Sequence, residues 1–207
     1  YSHRWAFTNI GSTDYTHLIV EHNAIVPLVR CLGNADADVR EQAAWCLGNV
    51  AGDSSDLRDV VLNSGAMNLL LQNLAQPHNI SLLRNCTWAL SNFCRGKKPE
   101  PPLSIVAPAL PALAHLVMNS NDNETMVDAT WALSYISDGA NERIQAVIEQ
   151  PGLLEMLVKM CTSDNASLIV PALRVLGNCV SGDDTQTQAV LNAGGLNICN
   201  CLLEHTK

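Results

Sequence analysis

The sequence predicts an all-α protein that forms a right-handed superhelical solenoid. Each repeat of the solenoid has about 42 residues and contains three helices. A five-residue motif with an aromatic or arginine lead residue returns along the whole chain. Two shorter apolar segments separate successive copies of the motif, and glycine or proline marks the ends of the segments. A single unit of this size cannot bury its apolar face, so stacked neighbours must cover it and form one continuous core.

The motif begins at residues 5, 45, 88, 131 and 174, so successive copies are 40, 43, 43 and 43 positions apart. The copies are Trp5-Ala-Phe-Thr-Asn9, Trp45-Cys-Leu-Gly-Asn49, Trp88-Ala-Leu-Ser-Asn92, Trp131-Ala-Leu-Ser-Tyr135 and Arg174-Val-Leu-Gly-Asn178. All four tryptophans of the chain occupy the lead position. This spacing predicts one long helix per repeat, with the motif at the same place in each.

Helical periodicity divides each long helix into two faces. The residues two and five after the lead are apolar and are predicted to form the core: Phe7/Ile10, Leu47/Val50, Leu90/Phe93, Leu133/Ile136 and Leu176/Cys179. The lead residue shares the opposite face with the residue four later and the residue three earlier, which is Gln42, Asn85, Asp128 or Pro171. We call this opposite side the Trp/Asn face and predict that it is available to a ligand.

Two further helices are expected between the long ones. The long helices are predicted to stop at Gly52, Gly96, Gly139 and Gly182. Short helices are expected at 56–62, 102–106, 141–148 and 186–191. Second helices are expected at 24–32, 66–74, 109–118, 153–161 and 196–203. Loops rich in asparagine and aspartate then lead into the next long helix.

These elements predict a single array over residues 1–207. It consists of a partial first repeat at 1–23, repeats at 24–65, 66–108, 109–151 and 152–194, and the start of a further repeat at 195–207. The segment 97–102 is the most basic part of the chain, and we expect it to be a solvated loop because proline cannot continue a helix.

Composition limits the class of partner. The formal charge is −8, with 12 Lys and Arg against 20 Asp and Glu, which argues against binding to nucleic acid phosphates and favours a basic partner. No apolar run approaches the ~18 residues of a membrane span, so no membrane association is expected. The eight cysteines form no Cys-x-x-Cys pair and are predicted to be reduced thiols of an intracellular protein. Because the chain opens without Met inside a helical motif, we expect it to be a piece of a longer protein.

An enzyme is not expected. The sequence contains no Gly-x-Ser-x-Gly, His-Glu-x-x-His or phosphate-loop pattern, and its six histidines share no face. Asp183 and Asp184 are interpreted as part of a solvated loop rather than as a catalytic pair. We therefore predict no catalytic residue, no cofactor and no metal.

The Trp/Asn face is interpreted as a peptide-binding site. Side-chain amides can hydrogen-bond the backbone of an extended peptide, and neighbouring indoles can enclose the stems of Lys or Arg. Carboxylates at the ends of these slots, at Asp53, Glu124 and Asp128, would receive the ammonium groups. The candidate site residues are Trp5, Asn9, Gln42, Trp45, Asn49, Gly52, Asp53, Asn85, Trp88, Ser91, Asn92, Arg95, Glu124, Asp128, Trp131, Tyr135, Arg174 and Asn178.

Structural alternatives exist for these residues. An isolated Trp at helical spacing is more often part of a core. Four copies opposite an aliphatic stripe, with Asn four residues after the lead in four of the five motifs, favour a binding surface. For Asp53 the alternatives are solvation in a loop or a cap on the helix that follows.

Four motifs resemble the armadillo repeats of the importin-α family, the adaptors that carry nuclear localisation signals. They are REQAAWCLGNVAGD at 40–53, LRNCTWALSNFCRG at 83–96, DATWALSYISDG at 128–139 and PALRVLGN at 171–178. Tyr135 and Arg174, which depart from the Trp/Asn pattern, match the same departures in the family. The resemblance covers nearly the whole chain and implies the armadillo form of the solenoid.

The resemblance also implies roles for particular residues. The tryptophans and asparagines at positions 5, 9, 45, 49, 88 and 92 would form the major signal site, with Asp53 receiving its key lysine. Arg174 and Asn178 would begin a minor site. Between Asn9 and Thr16 the chain is shorter than the family pattern, with Thr13 near the place where a Gly would help to accept that lysine.

The implied partners are basic nuclear localisation signal peptides of cargo proteins, and the implied location is the cytoplasm and the nucleus, between which the protein would shuttle. Importin-β is expected to bind the full-length protein only, because the segment that binds it is not part of this chain. Neither nucleic acid nor a membrane is an expected partner.

Two other functions use a similar fold. A catenin-type armadillo scaffold would bind acidic partners through a basic groove, and a HEAT-like protein would serve as a structural spacer. The Trp/Asn face carries Gln42, Asn85 and Asp128, and only Arg95 and Arg174 add positive charge to it. This pattern favours a basic peptide as the ligand.

Overall fold

The computed structural model describes residues 16–198, which form α-helices and one 3-10 helix, with no strand in that range. The predicted all-α fold is therefore confirmed. Trp5, Asn9 and Thr13 lie outside the described residues. The chain divides into two compact units, Tyr1–Ala112 and Leu113–Lys207.

The first unit contains two complete sets of three helices. The first set is α1 (Thr16–Glu21), α2 (Ile25–Cys31) and α3 (Ala37–Asp53), and the second is α4 (Ser55–Asn63), α5 (Ala66–Ala75) and α6 (Ile80–Cys94). They are followed by α7 (Leu103–Val106), the 3-10 helix Ala107–Ala109 and the start of α8 (Leu110–Asn119). The main packing between the two sets is that of α3 against α6, the two helices that carry the motif.

The second unit begins within α8 and continues with α9 (Asn123–Ile136). A complete set follows, formed by α10 (Asn141–Ile148), α11 (Leu153–Met160) and α12 (Ala166–Val180), and α13 (Asp184–Asn192) begins another. Helix α9 packs against α12 as α3 packs against α6. The predicted short and second helices within the described range agree with these bounds to within two residues.

Polar loop residues start the long helices. The side chains of Asp36, Asn79, Asp122 and Asn165 accept hydrogen bonds from backbone N–H groups in the first turns of α3, α6, α9 and α12. Each cap satisfies a donor that has no partner within the helix, which is typically worth ~1 kcal/mol. The asparagine and aspartate of the predicted loops are therefore the signals that begin the long helices.

The predicted stop of the first long helix is confirmed to within one residue, since α3 includes Gly52 and ends at Asp53. The stop near Gly96 is confirmed, since α6 ends at Cys94 and Gly96 adopts a φ of 110°, which an L side chain rarely adopts. Helices α9 and α12 end three and two residues before Gly139 and Gly182.

The predicted core stripe is confirmed for every member within the described residues. Leu47, Val50, Leu90, Phe93 and Leu133 are fully buried, and so are Ile136 and Cys179, while Leu176 is 4% exposed. Burial of this aliphatic surface in the contacts between helices is the main stabilising contribution to the stack.

Six cysteines lie in the described range as free thiols, and all except Cys31 are buried. Burial raises the pKa of Cys46, Cys86 and Cys179 to about 12 and that of Cys161 to about 11. These thiols are protonated at neutral pH and pack as small apolar side chains.

Over residues 16–198 no helix is long and apolar enough to cross a membrane. Within the same range, no group of three or more His, Cys, Asp and Glu side chains is placed to hold a metal ion.

Candidate peptide-binding face

The tryptophans of the described repeats differ in exposure. Trp45 on α3 is 38% exposed, whereas Trp88 on α6 and Trp131 on α9 are half-buried. The prediction that the lead residues avoid the apolar core is consistent with these values. The difference between Trp45 and Trp88 arises from packing between helices.

The Trp88 ring lies against the backbone of the preceding long helix. A methyl group added at Gly48 would lie 2.5 Å from Cζ3 of Trp88 and 3.0 Å from Cα of Ala89. Gly48 therefore allows α3 and α6 to approach closely, and Trp88 contributes to this packing as well as to the surface. Packing between helices and exposure at the surface are alternative roles for a motif Trp, and Trp88 combines them.

The asparagines of the motif bind the preceding long helix. Nδ2 of Asn92 donates to the carbonyl oxygen of Gly48 at 3.1 Å, and Nδ2 of Asn178 donates to the carbonyl of Ser134 and to Oγ of Ser137, both at 3.0 Å. In each case the acceptor carbonyl lies 44 residues earlier, so the same bond recurs in both units. The Nδ2 donors of Asn92 and Asn178 are therefore used within the chain.

The oxygen of each amide remains available. Oδ1 of Asn92 and Oδ1 of Asn178 accept no hydrogen bond from the part of the chain that the structure describes. Nδ2 of Asn49 is buried and has no partner among the described residues. A peptide N–H could therefore donate to Asn92, whose orientation is fixed by the bond to Gly48.

Replacing Asn92 by alanine is expected to lower the free energy of unfolding by about 1 kcal/mol, because it removes a nearly buried hydrogen bond between two repeats. Asn92→Asp should cost more, since a carboxylate would face the Gly48 carbonyl without a proton to donate. Urea unfolding of the two variants measures the difference. Unchanged stability in both variants would show that the bond between α6 and α3 does not contribute.

Three predicted site residues are occupied by intramolecular contacts. Nδ2 of Asn85 donates to Oε1 of Glu41 at 3.2 Å, and the Ser91 hydroxyl donates to the Trp88 carbonyl at 2.8 Å. Ser91 is only 6% exposed. A methyl group at Gly52 would lie 3.2 Å from Nδ2 of Asn92, so Gly52 leaves room for this amide. Ser91 and Gly52 thus make contacts within the protein, and Gln42 is half-buried on the face. The part of all three in binding stays a prediction.

Asp53 is the last residue of α3 and is exposed. The cap on α4 is Ser54, whose Oγ accepts a hydrogen bond from Leu57 N, so the alternative role of Asp53 as that cap is excluded. No partner for the Asp53 carboxylate occurs within residues 16–198. The carboxylate is therefore available to a cation from outside the chain.

In the second unit the chain supplies its own cation to the Trp/Asn face. Cζ of Arg174 lies 5.8 Å from the ring centroid of Trp131 and 5.7 Å from that of Tyr135, and the two rings stack with centroids 5.9 Å apart. Nη2 of Arg174 pairs with Oδ2 of Asp138 at 3.2 Å. This arrangement combines cation–π attraction with an ion pair. Asp138 is not among the predicted site residues, although it follows Trp131 by seven residues, just past the end of α9.

Carboxylates crowd the first half of α9. The pKa of Asp128 is raised to about 6. The main cause is burial of the carboxyl group, and the negative charges of Glu124 and Asp122 also contribute. The half-buried Asp128 and the exposed Glu124 thus form a negatively charged segment one to two turns before Trp131.

This shift predicts how stability depends on pH. Asp128 holds its proton in the folded state up to about pH 6, whereas the unfolded chain releases it near the ordinary value of 3.8. The folded state therefore binds more protons between these values, and the free energy of unfolding should fall as pH rises from about 4 to about 6. Asp128→Asn should flatten this part of the profile and raise stability at pH 7. Thermal unfolding across this pH range measures both effects, and an unchanged profile in the variant would contradict them.

Arg58 on α4 is a structural residue that the sequence analysis missed. It is fully buried, and its guanidinium donates to the carbonyl oxygens of Arg95 at 2.7 Å and Pro99 at 2.9 Å, and to Oδ1 of Asp59. The sequence does contain a signal for this role, because an arginine recurs on a later short helix. Arg143, 85 residues after Arg58, is also buried and donates to the Ile136 carbonyl. These arginines connect short helices to the ends of long ones.

Comparison with known proteins agrees with this architecture. A family model described as Armadillo/beta-catenin-like repeat matches residues 12–52, 54–95, 98–138 and 140–181. A designed armadillo repeat protein in complex with the peptide (KR)4 has a TM-score of 0.90 and 26% identity, covering 100% of this chain and 86% of that one. Another designed armadillo repeat protein has a TM-score of 0.86 and 25% identity, covering 95% of this chain and 82% of that one.

Curated relatives carry importin names. Importin subunit alpha-2 of Arabidopsis thaliana and importin subunit alpha-1b of Oryza sativa subsp. japonica are each 52% identical over 126 residues, which is 60% of this chain and 23% of each relative. Probable importin subunit alpha-A of Dictyostelium discoideum is 38% identical over 133 residues, covering 56% of this chain and 24% of that protein. The chain thus spans about a quarter of the length of these relatives. The resemblance to importin-α that the four motifs predict is confirmed.

The four matched repeats cover most of the chain and coincide with helices that stack through their long members. The chain belongs to the Armadillo/beta-catenin-like repeat family.

Proposed function

We propose that this chain is part of a nuclear import adaptor that binds lysine- and arginine-rich nuclear localisation signal peptides in extended form. The observation that carries the proposal is the pairing, on α3, of the exposed Trp45 indole with the exposed carboxylate of Asp53 two turns later. An adaptor of this kind would shuttle between the cytoplasm and the nucleus. Importin-β would be a partner of the full-length protein.

The chemistry suits a lysine side chain. Its methylene stem can pack on the exposed indole of Trp45, where each buried CH₂ contributes ~0.8 kcal/mol, and its ammonium can pair with Asp53. The peptide backbone would donate to the free Oδ1 of Asn92, which holds the chain without reading its sequence. The net charge of −8 would also attract a basic peptide.

The known relatives support the same ligand class. The chain is similar to importin-α subunits over 60% of its length, and the designed armadillo protein bound to (KR)4 shares its fold. A catenin-type scaffold would need a basic face. The described face has little positive charge, because Arg174 is paired with Asp138 and Arg95 is the other arginine predicted to lie on it.

The proposed site is centred on α3 and α6. Trp131 offers less to a peptide cation, because Arg174 already lies over its ring and that of Tyr135. We therefore expect ligand lysines to bind at Trp45 and Trp88, and an arginine or lysine at Trp131 only if Arg174 is displaced.

A titration with a labelled lysine-rich peptide tests the proposal. The protein should bind this peptide and should not bind the same peptide with every lysine replaced by glutamine. Trp45→Ala should weaken binding by on the order of 1–3 kcal/mol with little loss of stability, because the ring is exposed. Ile80→Ala removes another exposed apolar side chain, on α6, and serves as the control. Equal binding of the lysine and glutamine peptides would overturn the proposal.

A further inference from the structure

The loop after α9 carries the only Asp-Gly pair in the 207 residues, Asp138-Gly139, and the chain contains no Asn-Gly pair. Both residues lie between α9 and α10, and Gly139 is exposed. Among the residues that the structure describes, the backbone N–H of Gly139 finds no hydrogen-bond acceptor. The amide that follows the Asp138 carboxyl group is therefore not held in secondary structure.

An Asp-Gly pair can react without an enzyme. The Gly139 nitrogen loses its proton and attacks Cγ of Asp138, a C–N bond forms, and a carboxyl oxygen leaves as water, which gives a cyclic succinimide. Water then reopens the ring at the former backbone carbonyl, so the chain continues through Cγ and the old carbonyl carbon becomes a free carboxylate. The net change is the isomerisation of aspartate to isoaspartate. Glycine favours the attack because it has no side chain to hinder it.

The ion pair of Asp138 opposes this reaction. Oδ2 of Asp138 accepts a hydrogen bond from Nη2 of Arg174 at 3.2 Å. A carboxylate that accepts such a bond is ionised, and an ionised carboxylate is a poor electrophile because its oxygen cannot leave as water. The Asp138 and Arg174 side chains are 20% and 42% exposed, so solvent reaches the pair and weakens it.

We propose that Asp138 is a site of spontaneous isomerisation to isoaspartate, and that its ion pair with Arg174 restrains the reaction. The product carries its carboxylate on a backbone that is longer by one carbon, so the carboxylate is displaced from the Arg174 guanidinium. Arg174 then loses the partner that holds it 5.8 Å from the ring centroid of Trp131 and 5.7 Å from that of Tyr135. A consequence that rests on the proposed function follows, since both rings become available to a ligand cation.

The test follows isoaspartate during incubation at physiological temperature and neutral pH. Isoaspartyl methyltransferase with S-adenosylmethionine measures its amount, and mass spectrometry of proteolytic peptides locates it. In Arg174→Ala, isoaspartate should form at Asp138 about two- to fivefold faster than in wild-type protein, which is the factor expected for the loss of one partly exposed ion pair. Arg174→Lys keeps the charge and should stay close to the wild-type rate.

Three controls accompany this measurement. Arg30→Ala removes an exposed arginine from α2 and should leave the rate unchanged. Gly139→Ala places a methyl group next to the attacking nitrogen and should suppress the reaction. Urea-unfolded wild-type protein gives the rate of the unrestrained chain, and circular dichroism checks that the variants keep their helices.

Two results would overturn the proposal. If isoaspartate forms at Asp138 in the unfolded chain but not in folded Arg174→Ala, the folded loop does not permit the reaction. Equal rates in wild-type protein and Arg174→Ala would refute the restraint by the ion pair. These measurements use no ligand, so they do not depend on the proposed function.

A labelled arginine-rich peptide tests the consequence for binding. Aged wild-type protein in which most chains carry isoaspartate should bind this peptide about two- to tenfold more tightly than fresh protein, because the rings of Trp131 and Tyr135 are uncovered. If fresh protein binds the peptide and ageing leaves the affinity unchanged, the consequence is refuted while the proposed function stands. If fresh protein binds no basic peptide, the proposed function fails, and the result for isomerisation remains.

Discussion

Replacing Asp53 by lysine is expected to weaken binding of a short lysine-rich peptide by on the order of 2 kcal/mol or more. The substitution removes the exposed carboxylate at the end of α3 and adds repulsion toward the ligand ammonium. Stability should change little, because Asp53 neither caps α4 nor contacts a charged group among the described residues. Fluorescence anisotropy at moderate salt, where diffuse charge effects are screened, measures the loss.

Asp56→Lys is the matched control for this measurement. Asp56 is also exposed and lies three residues further on, in the first turn of α4, so its substitution changes the net charge by the same amount. It removes a favourable helix-dipole contact of ~0.3–1 kcal/mol in stability, but it lies on α4 and not on the helix that carries Trp45. Equal losses of affinity in the two variants would show that only overall acidity matters, and the specific lysine site would have to be abandoned.

Gly48→Ala is expected to produce the largest loss of stability among single-methyl changes on the long helices. The added methyl would lie 2.5 Å from the Trp88 ring and 3.0 Å from the backbone of Ala89, so α3 and α6 would have to separate. Overpacking of this kind typically costs ~1–3 kcal/mol. We also expect weaker peptide binding, because Nδ2 of Asn92 donates to the Gly48 carbonyl and the orientation of its amide depends on that contact.

Gly177→Ala supplies the contrast, since Gly177 precedes Asn178 as Gly48 precedes Asn49. Apart from its own helix backbone and its chain neighbours, no heavy atom of residues 16–198 lies within 4 Å of a methyl group placed there. Because alanine is the better helix former by up to ~1 kcal/mol, this variant should be as stable as the wild type or more stable. Thermal and urea unfolding of both variants measures the difference. If Gly48→Ala unfolds like Gly177→Ala, the close approach of α3 and α6 at this position is incorrect.

The repeat pattern of the sequence by itself determines much of this protein. The period located the short and second helices to within two residues, and the stripe from Leu47 to Cys179 identified the core, because helical periodicity assigns each residue to a face. It also indicated the Trp/Asn face and the carboxylate of Asp53. The face of its own helix on which a side chain lies could therefore be predicted from the sequence.

Only the tertiary structure decided how those side chains are used between helices. The bond from Asn92 to the Gly48 carbonyl, the Trp88 ring on Gly48 and the Arg174 guanidinium over Trp131 join residues 40 to 44 positions apart. Periodicity fixes the face on which a residue lies, but it does not fix the distance and register between packed helices. Those depend on the volumes of the side chains at the contact, and they determine which polar atoms are satisfied within the protein and which remain for a ligand.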